Sequence, residues 1–152
     1  METRYYLAYG SNLNTEQMRY RCPTARIVGT AVVKDYRLLF KGSRTGAYLT
    51  IEPMKGASVP VAIWSVTSDD EARLDRYEGY PSFYYKAEMT VSVKGIRTGK
   101  SSRRKAFVYI MSEGSVCGRP SVGYFRTCRD GYDAFGFDRQ TLINAYNDSV
   151  KE

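Results

Sequence analysis

A glycine loop and a glutamate are the two places where this sequence carries residue types able to do chemistry. In Tyr9-Gly10-Ser11-Asn12-Leu13 a β-prone run meets the start of a helix. Gly10 permits a sharp backbone turn and the close approach of a ligand. The amides of Ser11, Asn12 and Leu13 are then able to point outward together, as a nest for an anion or an oxyanion. The positive end of the following helix reinforces them. In Leu74-Asp75-Arg76-Tyr77-Glu78-Gly79-Tyr80-Pro81, Glu78 falls at the end of a predicted helix, near the negative pole of its dipole. Tyr77 and Tyr80 flank it and would desolvate it. Both effects raise a carboxyl pKa, which is what a general base working near neutral pH requires. Each segment also has an ordinary reading. Gly, Ser and Asn are default turn residues, and a carboxylate at a helix end can be solvated or paired with Arg76. Taken one at a time, the spacings leave both readings open.

The residue inventory narrows the chemistry. Among 152 residues there is no histidine. Ser-His-Asp hydrolysis, Cys-His proteolysis, histidine-rich zinc sites and imidazole proton shuttles are therefore excluded. Proton transfer near pH 7 falls to a carboxylate of raised pKa, a Lys, a Tyr or a Cys. Ser11 has no visible base to activate it and reads as a hydrogen-bond donor. Cys22, Cys117 and Cys128 have no CxxC spacing, and an all-cysteine zinc site would lack its fourth ligand. They read as small structural side chains in a reducing compartment. No metal site and no cofactor is expected. The 14 tyrosines and 6 phenylalanines point to strands and to a pocket walled by amphipathic rings.

The elements that must hold these residues follow from pattern and punctuation. Strands are predicted over Arg4–Tyr9, Ala25–Val33 and Tyr36–Phe40 (the last two readable as one bent strand), Ala47–Ile51, Val59–Val66, Tyr84–Val93 and Lys105–Met111. A helix over roughly Thr15–Arg21 starts at the Asn14/Gln17 capping pair and stops at Pro23. A second, Asp69–Tyr77, is opened by a capping box in Ser68-Asp69-Asp70-Glu71 and closed by Gly79. A third runs from Pro120 through about Arg129, and a fourth, about Arg139–Val150, is capped by Asp138. Six or seven strands and four helices without βαβ alternation predict a mixed α+β fold. Its core would be a small, strongly curved sheet or β-barrel with flanking helices, in a single domain over residues 1–152.

The two chemical segments gain meaning as a pair. YGSNL at 9–13, followed about 65 residues later by LDxxEGYP, resembles the γ-glutamylcyclotransferase family, also called AIG2-like. The likeness continues through Tyr85 and reaches Pro120-Ser121 and Tyr124, so it spans nearly the whole chain. It implies a small β-barrel with surrounding helices, a catalytic glutamate mapping onto Glu78, and a substrate-cradling loop mapping onto Tyr9, Gly10, Ser11, Asn12 and Leu13. Tyr124 corresponds to a tyrosine that the family places near the site. Tyr85 is a further candidate for the pocket wall, and each of these two tyrosines is also readable as a core aromatic. The implied reaction is attack of a γ-glutamyl amide's own α-amine on its γ-carbonyl, giving 5-oxoproline and a free amine. The nucleophile lies in the substrate, so no Ser, Cys or cofactor is needed. Glu78 would take the amine's proton and return one to the leaving nitrogen, while loop amides hold the oxyanion. The family includes forms acting on γ-glutamyl amino acids, on γ-glutamyl-lysine isopeptides and on γ-glutamyl-protected antibiotic intermediates. YGSNL fits the first and third kinds better than the second. Tyr80-Pro81, where other members often carry a small residue, leaves the leaving amine open. A rival reading is a module of the same fold that grips a small carboxylate without turnover.

The net charge of +7 is concentrated in a polar hairpin, Lys94, Arg97, Lys100, Arg103, Arg104 and Lys105. It lacks the glycine–aromatic spacing of RNA-binding sheets and reads as a solvated hairpin rather than a nucleic-acid surface. The opening METRYYLAYGSN does not read as a signal peptide, and no apolar run approaches the ~18 residues of a membrane span. The expectation is a cytoplasmic enzyme for a small γ-glutamyl substrate, monomeric or homodimeric.

Overall fold

Five strands close on themselves in the order β1–β3–β2–β4–β5. The computed structural model describes residues 2–151. The strands are β1 (Thr3–Ala8), β2 (Arg26–Lys41), β3 (Tyr48–Thr67), β4 (Tyr84–Gly95) and β5 (Ser101–Met111). The helices are α1 (Thr15–Arg21), α2 (Ser68–Glu78), α3 (Val122–Phe135) and α4 (Arg139–Ser149), and a single 3-10 turn covers Ser11–Leu13. The mixed α+β barrel with flanking helices is thus present, built from fewer and longer strands than the pattern predicts.

The segments Ala25–Val33 and Tyr36–Phe40 are one strand, β2, and Ala47–Ile51 and Val59–Val66 are one strand, β3. The two pair antiparallel from Lys41↔Tyr48 to Arg26↔Ser65. The polar residues between the predicted halves form a bulged bend in this long hairpin, with a register shift between Lys34 and Tyr36. Asp35 takes a left-handed φ of 62° there, and its carboxylate accepts the Gly56 amide at 3.0 Å. Bends of this kind let a strand curve without losing its partner. Closure comes from β1, which pairs antiparallel with β3 and, through Tyr5↔Ala106 and Tyr6↔Phe107, parallel with β5. Leu7, Phe40, Leu49, Ile51, Ile63 and Phe107 fill the core almost without exposure, and a closed sheet leaves no edge to protect.

The helices start where side chains can cap them. Asn14 Oδ1 accepts from the Gln17 amide, Ser121 Oγ from Tyr124 and Asp138 Oδ1 from Gln140. In α2 the box is formed by Thr67 and Asp70, one residue earlier than Ser68 and Glu71. Glu71 is thereby released to pair with Arg4 and Lys86, each at 2.7 Å. Helix α3 continues past the expected stop near Arg129, because Gly131 is used for packing rather than for termination. A Cβ at 131 would lie 2.6 Å from the carbonyl carbon of Leu13, so α3 rests directly on the backbone of the 3-10 turn.

This contact sets two effects of Gly131→Ala against each other. Helix propensity favours Ala by up to about 1 kcal/mol, whereas the clash is with main chain and has no rotamer to escape into. Overpacking of this type costs about 1–3 kcal/mol. Gly131→Ala is expected to lower the melting temperature, measured by circular dichroism; a rise would show that the turn yields freely.

Candidate active site

Glu78 is the last residue of α2, and the helix is fastened to the barrel along one side. Leu74 is fully buried beneath it. The carboxylate of Asp75 accepts the Tyr109 hydroxyl at 2.5 Å and pairs with Lys86 at 2.9 Å. Glu71, one turn earlier, meets the same Lys86. Gly79 ends the helix in the left-handed region at φ 68°, its amide bonded back to the Asp75 and Arg76 carbonyls. These ties hold the final turn of α2 over the end of the barrel where the Tyr9-Gly10-Ser11-Asn12 loop emerges from β1.

Between loop and helix lies a recess of about 20 Å³, bordered by Tyr9, Gly10, Ser11 and Asn12 on one side and Glu78 on the other. That is room for about one water-sized group. It adjoins an outer cleft of about 310 Å³ whose walls include Tyr48, Arg76, Tyr77 and Phe83. Ser11, Glu78, Tyr84 and Tyr124 border both spaces. The two segments singled out in the sequence therefore face each other across one cavity.

Tyrosine hydroxyls line the recess, and the barrel backbone satisfies most of them. Tyr84 donates to the Leu49 carbonyl at 2.7 Å, Tyr9 donates to the Tyr109 carbonyl at 2.6 Å, and Tyr124 accepts the Leu49 amide at 3.1 Å. Burial pushes the phenols of Tyr6, Tyr9, Tyr84 and Tyr124 well above their ordinary range, and the charge of Glu78 adds to it. They are neutral hydrogen-bonding groups, not bases.

The loop offers fewer amides than expected. The Leu13 amide donates to the Gly10 carbonyl at 3.0 Å inside the 3-10 turn, and its side chain is fully buried. Leu13 anchors the loop and does not line the cavity. The amides of Ser11 and Asn12, at the start of the turn, have no acceptor among the described residues; unpaired donors of this kind are what a turn's first residues present to a ligand. The Ser11 hydroxyl shares a hydrogen bond with the Tyr77 hydroxyl at 3.1 Å. Asn12 is oriented by Tyr6, to whose hydroxyl its Nδ2 donates at 2.8 Å, and by Arg21, whose guanidinium donates to its Oδ1. Arg21 also lies 3.4 Å over the Tyr77 ring, so it ties the loop to the end of α2.

Tyr85 is a correction. It lies on the outer face of β4, 44% exposed, while its neighbour Tyr84 is 6% exposed and borders the recess. Strand alternation makes these two positions exclusive, and Tyr84 takes the place expected of Tyr85. Tyr6, Tyr84, Tyr109 and Arg21 carry no local signal of a role. Tyr84 and Tyr109 are defined by partners 35 and 34 residues away, Leu49 and Asp75, and Arg21 by the ring of Tyr77, while Tyr6 meets Asn12 only across the turn after β1.

Glu78 itself has no hydrogen bond or ion pair among the described residues, and the pairing with Arg76 that a helix-end carboxylate invites does not form. The residue is half-buried by accessible surface and lines the cleft, but walls of protein stand on its other sides. That desolvation raises its pKa to about 7, against a smaller lowering by Arg21. A carboxyl poised at neutrality beside unpaired amides can accept and return a proton while an oxyanion forms. Among the described residues no group of three or more His, Cys, Asp or Glu is placed to hold a metal, and no helix is long and apolar enough to cross a membrane.

Residues 6–126 match the family model described as gamma-glutamyl cyclotransferase, AIG2-like. A gamma-glutamylcyclotransferase of Bos taurus is 36% identical over 101 residues, which cover 61% of this chain and 54% of that protein. The Homo sapiens protein of the same name is 35% identical over 91 residues, covering 55% and 48%. The chain thus spans about half the length of the curated relatives it matches. A solved structure titled gamma-glutamyl cyclotransferase superposes with a TM-score of 0.80 at 26% identity, over 95% of this chain and 86% of the other.

The raised pKa carries a stability consequence. An unfolded glutamate ionises near 4.5, whereas Glu78 in the folded protein ionises near 7. The native state binds this proton more tightly, so stability declines as pH rises from about 4.5 to about 7 and stays lower above it. The deficit is on the order of 3 kcal/mol. Glu78→Gln removes the ionisation, and its melting temperature is expected to exceed the wild type's by several degrees at pH 8 and to converge with it near pH 4.5. Scanning calorimetry at both pH values measures this, and an unchanged gap between the two would contradict the raised pKa.

Proposed function

The chain belongs to the γ-glutamyl cyclotransferase, AIG2-like family, and we propose that it is a cofactor-independent cyclotransferase acting on small γ-glutamyl amides. The substrate's α-amine attacks its own γ-carbonyl. The new N–C bond closes a five-membered lactam, the C–N bond to the leaving amine breaks, and 5-oxoproline and the free amine depart. No water is consumed. Holding the chain folded so that amine and carbonyl meet at roughly 3 Å replaces a bimolecular encounter.

Glu78 takes the proton from the attacking amine and gives one to the leaving nitrogen. A single group can do both because its pKa is raised to about 7, between the demands of base and acid. The Ser11 and Asn12 amides receive the oxyanion, with Gly10 allowing the close approach and Tyr9 fixed beneath the loop by its hydroxyl. Tyr84 and Tyr124 wall the γ-glutamyl chain. The observation that carries this reading is the unpaired Glu78 carboxyl facing unpaired loop amides across a space for about one small group. Three free thiols, two of them buried, support a reducing, cytoplasmic place of work, and the protein is taken to act as a monomer or homodimer.

Incubation with γ-glutamyl dipeptides is expected to release 5-oxoproline, detected by chromatography. Glu78→Gln should lower kcat by about 10²–10⁴-fold while remaining folded. The wild-type kcat/KM should climb through about pH 7 as Glu78 ionises. Full activity in Glu78→Gln would refute the mechanism, and tight binding without 5-oxoproline would indicate a non-catalytic module.

A further inference from the structure

We infer that the outer cleft selects γ-glutamyl amides whose leaving amine is an amino acid with an apolar or aromatic side chain, and that Arg76 recognises its carboxylate. This rests on the cyclotransferase reading and deepens it. The scissile carbon must lie beside Glu78, which borders both spaces. The recess of about 20 Å³ admits only the reacting end, so the leaving group lies in the outer cleft of about 310 Å³, beside the outer part of the γ-glutamyl chain. That volume sits at the small end of ligand sites and leaves room for no more than one amino acid as the leaving group.

The cleft wall is aromatic and held in place. Tyr48 meets Tyr124 edge-on at 5.0 Å and Phe83 edge-on at 5.9 Å, and Phe83 meets Tyr84 at 5.2 Å. A continuous row of rings runs from the buried tyrosines out to the cleft. Phe83 is seated against two glycines, since a Cβ at Gly42 would lie 2.9 Å from its Cζ and one at Gly79 would lie 3.1 Å from its Cβ. Yet Tyr48, Tyr77 and Phe83 remain 40–44% exposed. Large rings fixed in position and left open to solvent beside a polar site mark a surface for apolar contact.

The charges of the cleft are as selective. Among the described residues lining it, Arg76 is the one cation and Glu78 the one carboxylate. Arg76 makes no ion pair among the described residues, whereas its neighbour Asp75 is taken by Lys86. A guanidinium offers a planar fork to a carboxylate. A leaving group with a second ammonium finds repulsion from Arg76 and no acid except Glu78, whose proton transfer it would disturb.

Three substrates separate these features: γ-glutamyl-phenylalanine, γ-glutamyl-phenethylamide, which lacks the carboxylate, and Nε-(γ-glutamyl)lysine. With 5-oxoproline as the readout, the wild type is expected to prefer the first about tenfold or more in kcat/KM over either of the others. Arg76→Gln should collapse the preference for phenylalanine over phenethylamide towards one, mainly by raising KM for phenylalanine, and Arg76→Lys should retain part of it. The ratio is internal to each variant, so a loss of folded protein does not imitate the effect. Equal wild-type rates on phenylalanine and phenethylamide compounds, or an Arg76→Gln variant that keeps the preference, overturns the inference and leaves the cyclotransferase intact. No 5-oxoproline from any of the three overturns the cyclotransferase reading itself.

Discussion

A carboxyl group with neither donor nor cation of its own is expensive to enclose, and the end of this barrel is organised around one. Glu78 has protein on most sides and no ion pair among the described residues, with only the more distant charge of Arg21 to offset its burial. Such an arrangement persists only when the groups around it cannot relax toward it. Here they are engaged elsewhere: Tyr9 and Tyr84 spend their hydroxyl protons on main-chain carbonyls, Tyr109 spends its own on Asp75, and Arg21 is held by Asn12, Gln17 and the face of Tyr77. The glutamate is left alone by these side chains because each already has a partner, and the donors that stay free near it are the Ser11 and Asn12 amides and Arg76.

Barrel closure supplies that rigidity. Leu49 gives its carbonyl to Tyr84 and its amide to Tyr124, so one residue of β3 ties β4 to α3 beneath the recess. The loop after β1 is clamped from the other side by Gly131 of α3 and from above by Arg21 of α1. The lysine of β4, Lys86, which shares a face with Tyr84 and pairs across to Tyr109, joins two acids of α2 to the same sheet. Loop, helix and floor are positioned by different elements that meet only once the sheet has curled shut.

What could be read in advance was what is local. Gly10, Ser11 and Asn12 announce a turn, Glu78 precedes a glycine at a helix end, and Asn14, Ser121 and Asp138 precede their helices by ordinary capping chemistry. What could not be read depends on tertiary phase. Phe83-Tyr84-Tyr85 is aromatic throughout, so nothing in it says which ring turns inward; pairing along β5 settles that in favour of Tyr84. The Lys34-Asp35 and Met54–Ser58 stretches look like breaks because they hold turn-forming residues, and opposite one another they become a bend in a continuous hairpin. Leu13 shows the same limit at smaller scale: its place after Gly10 suggests an outward amide, and the 3-10 turn consumes that amide. Arg21 reads as an ordinary basic residue in a last helical turn until Tyr77 arrives beneath it.

The recess also bears on how a catalytic cycle ends. On the proposed reading, the reactant enters carrying an ammonium group that the half-titrated acid attracts, and the lactam that forms has surrendered that charge to the departing amine. Closing the ring therefore removes that attraction to Glu78 and leaves the α-carboxylate as the charge the lactam still carries. On that reading the reaction loosens the hold of its own site, since the unpartnered oxygen atoms that drew the reactant in then face a neutral lactam nitrogen.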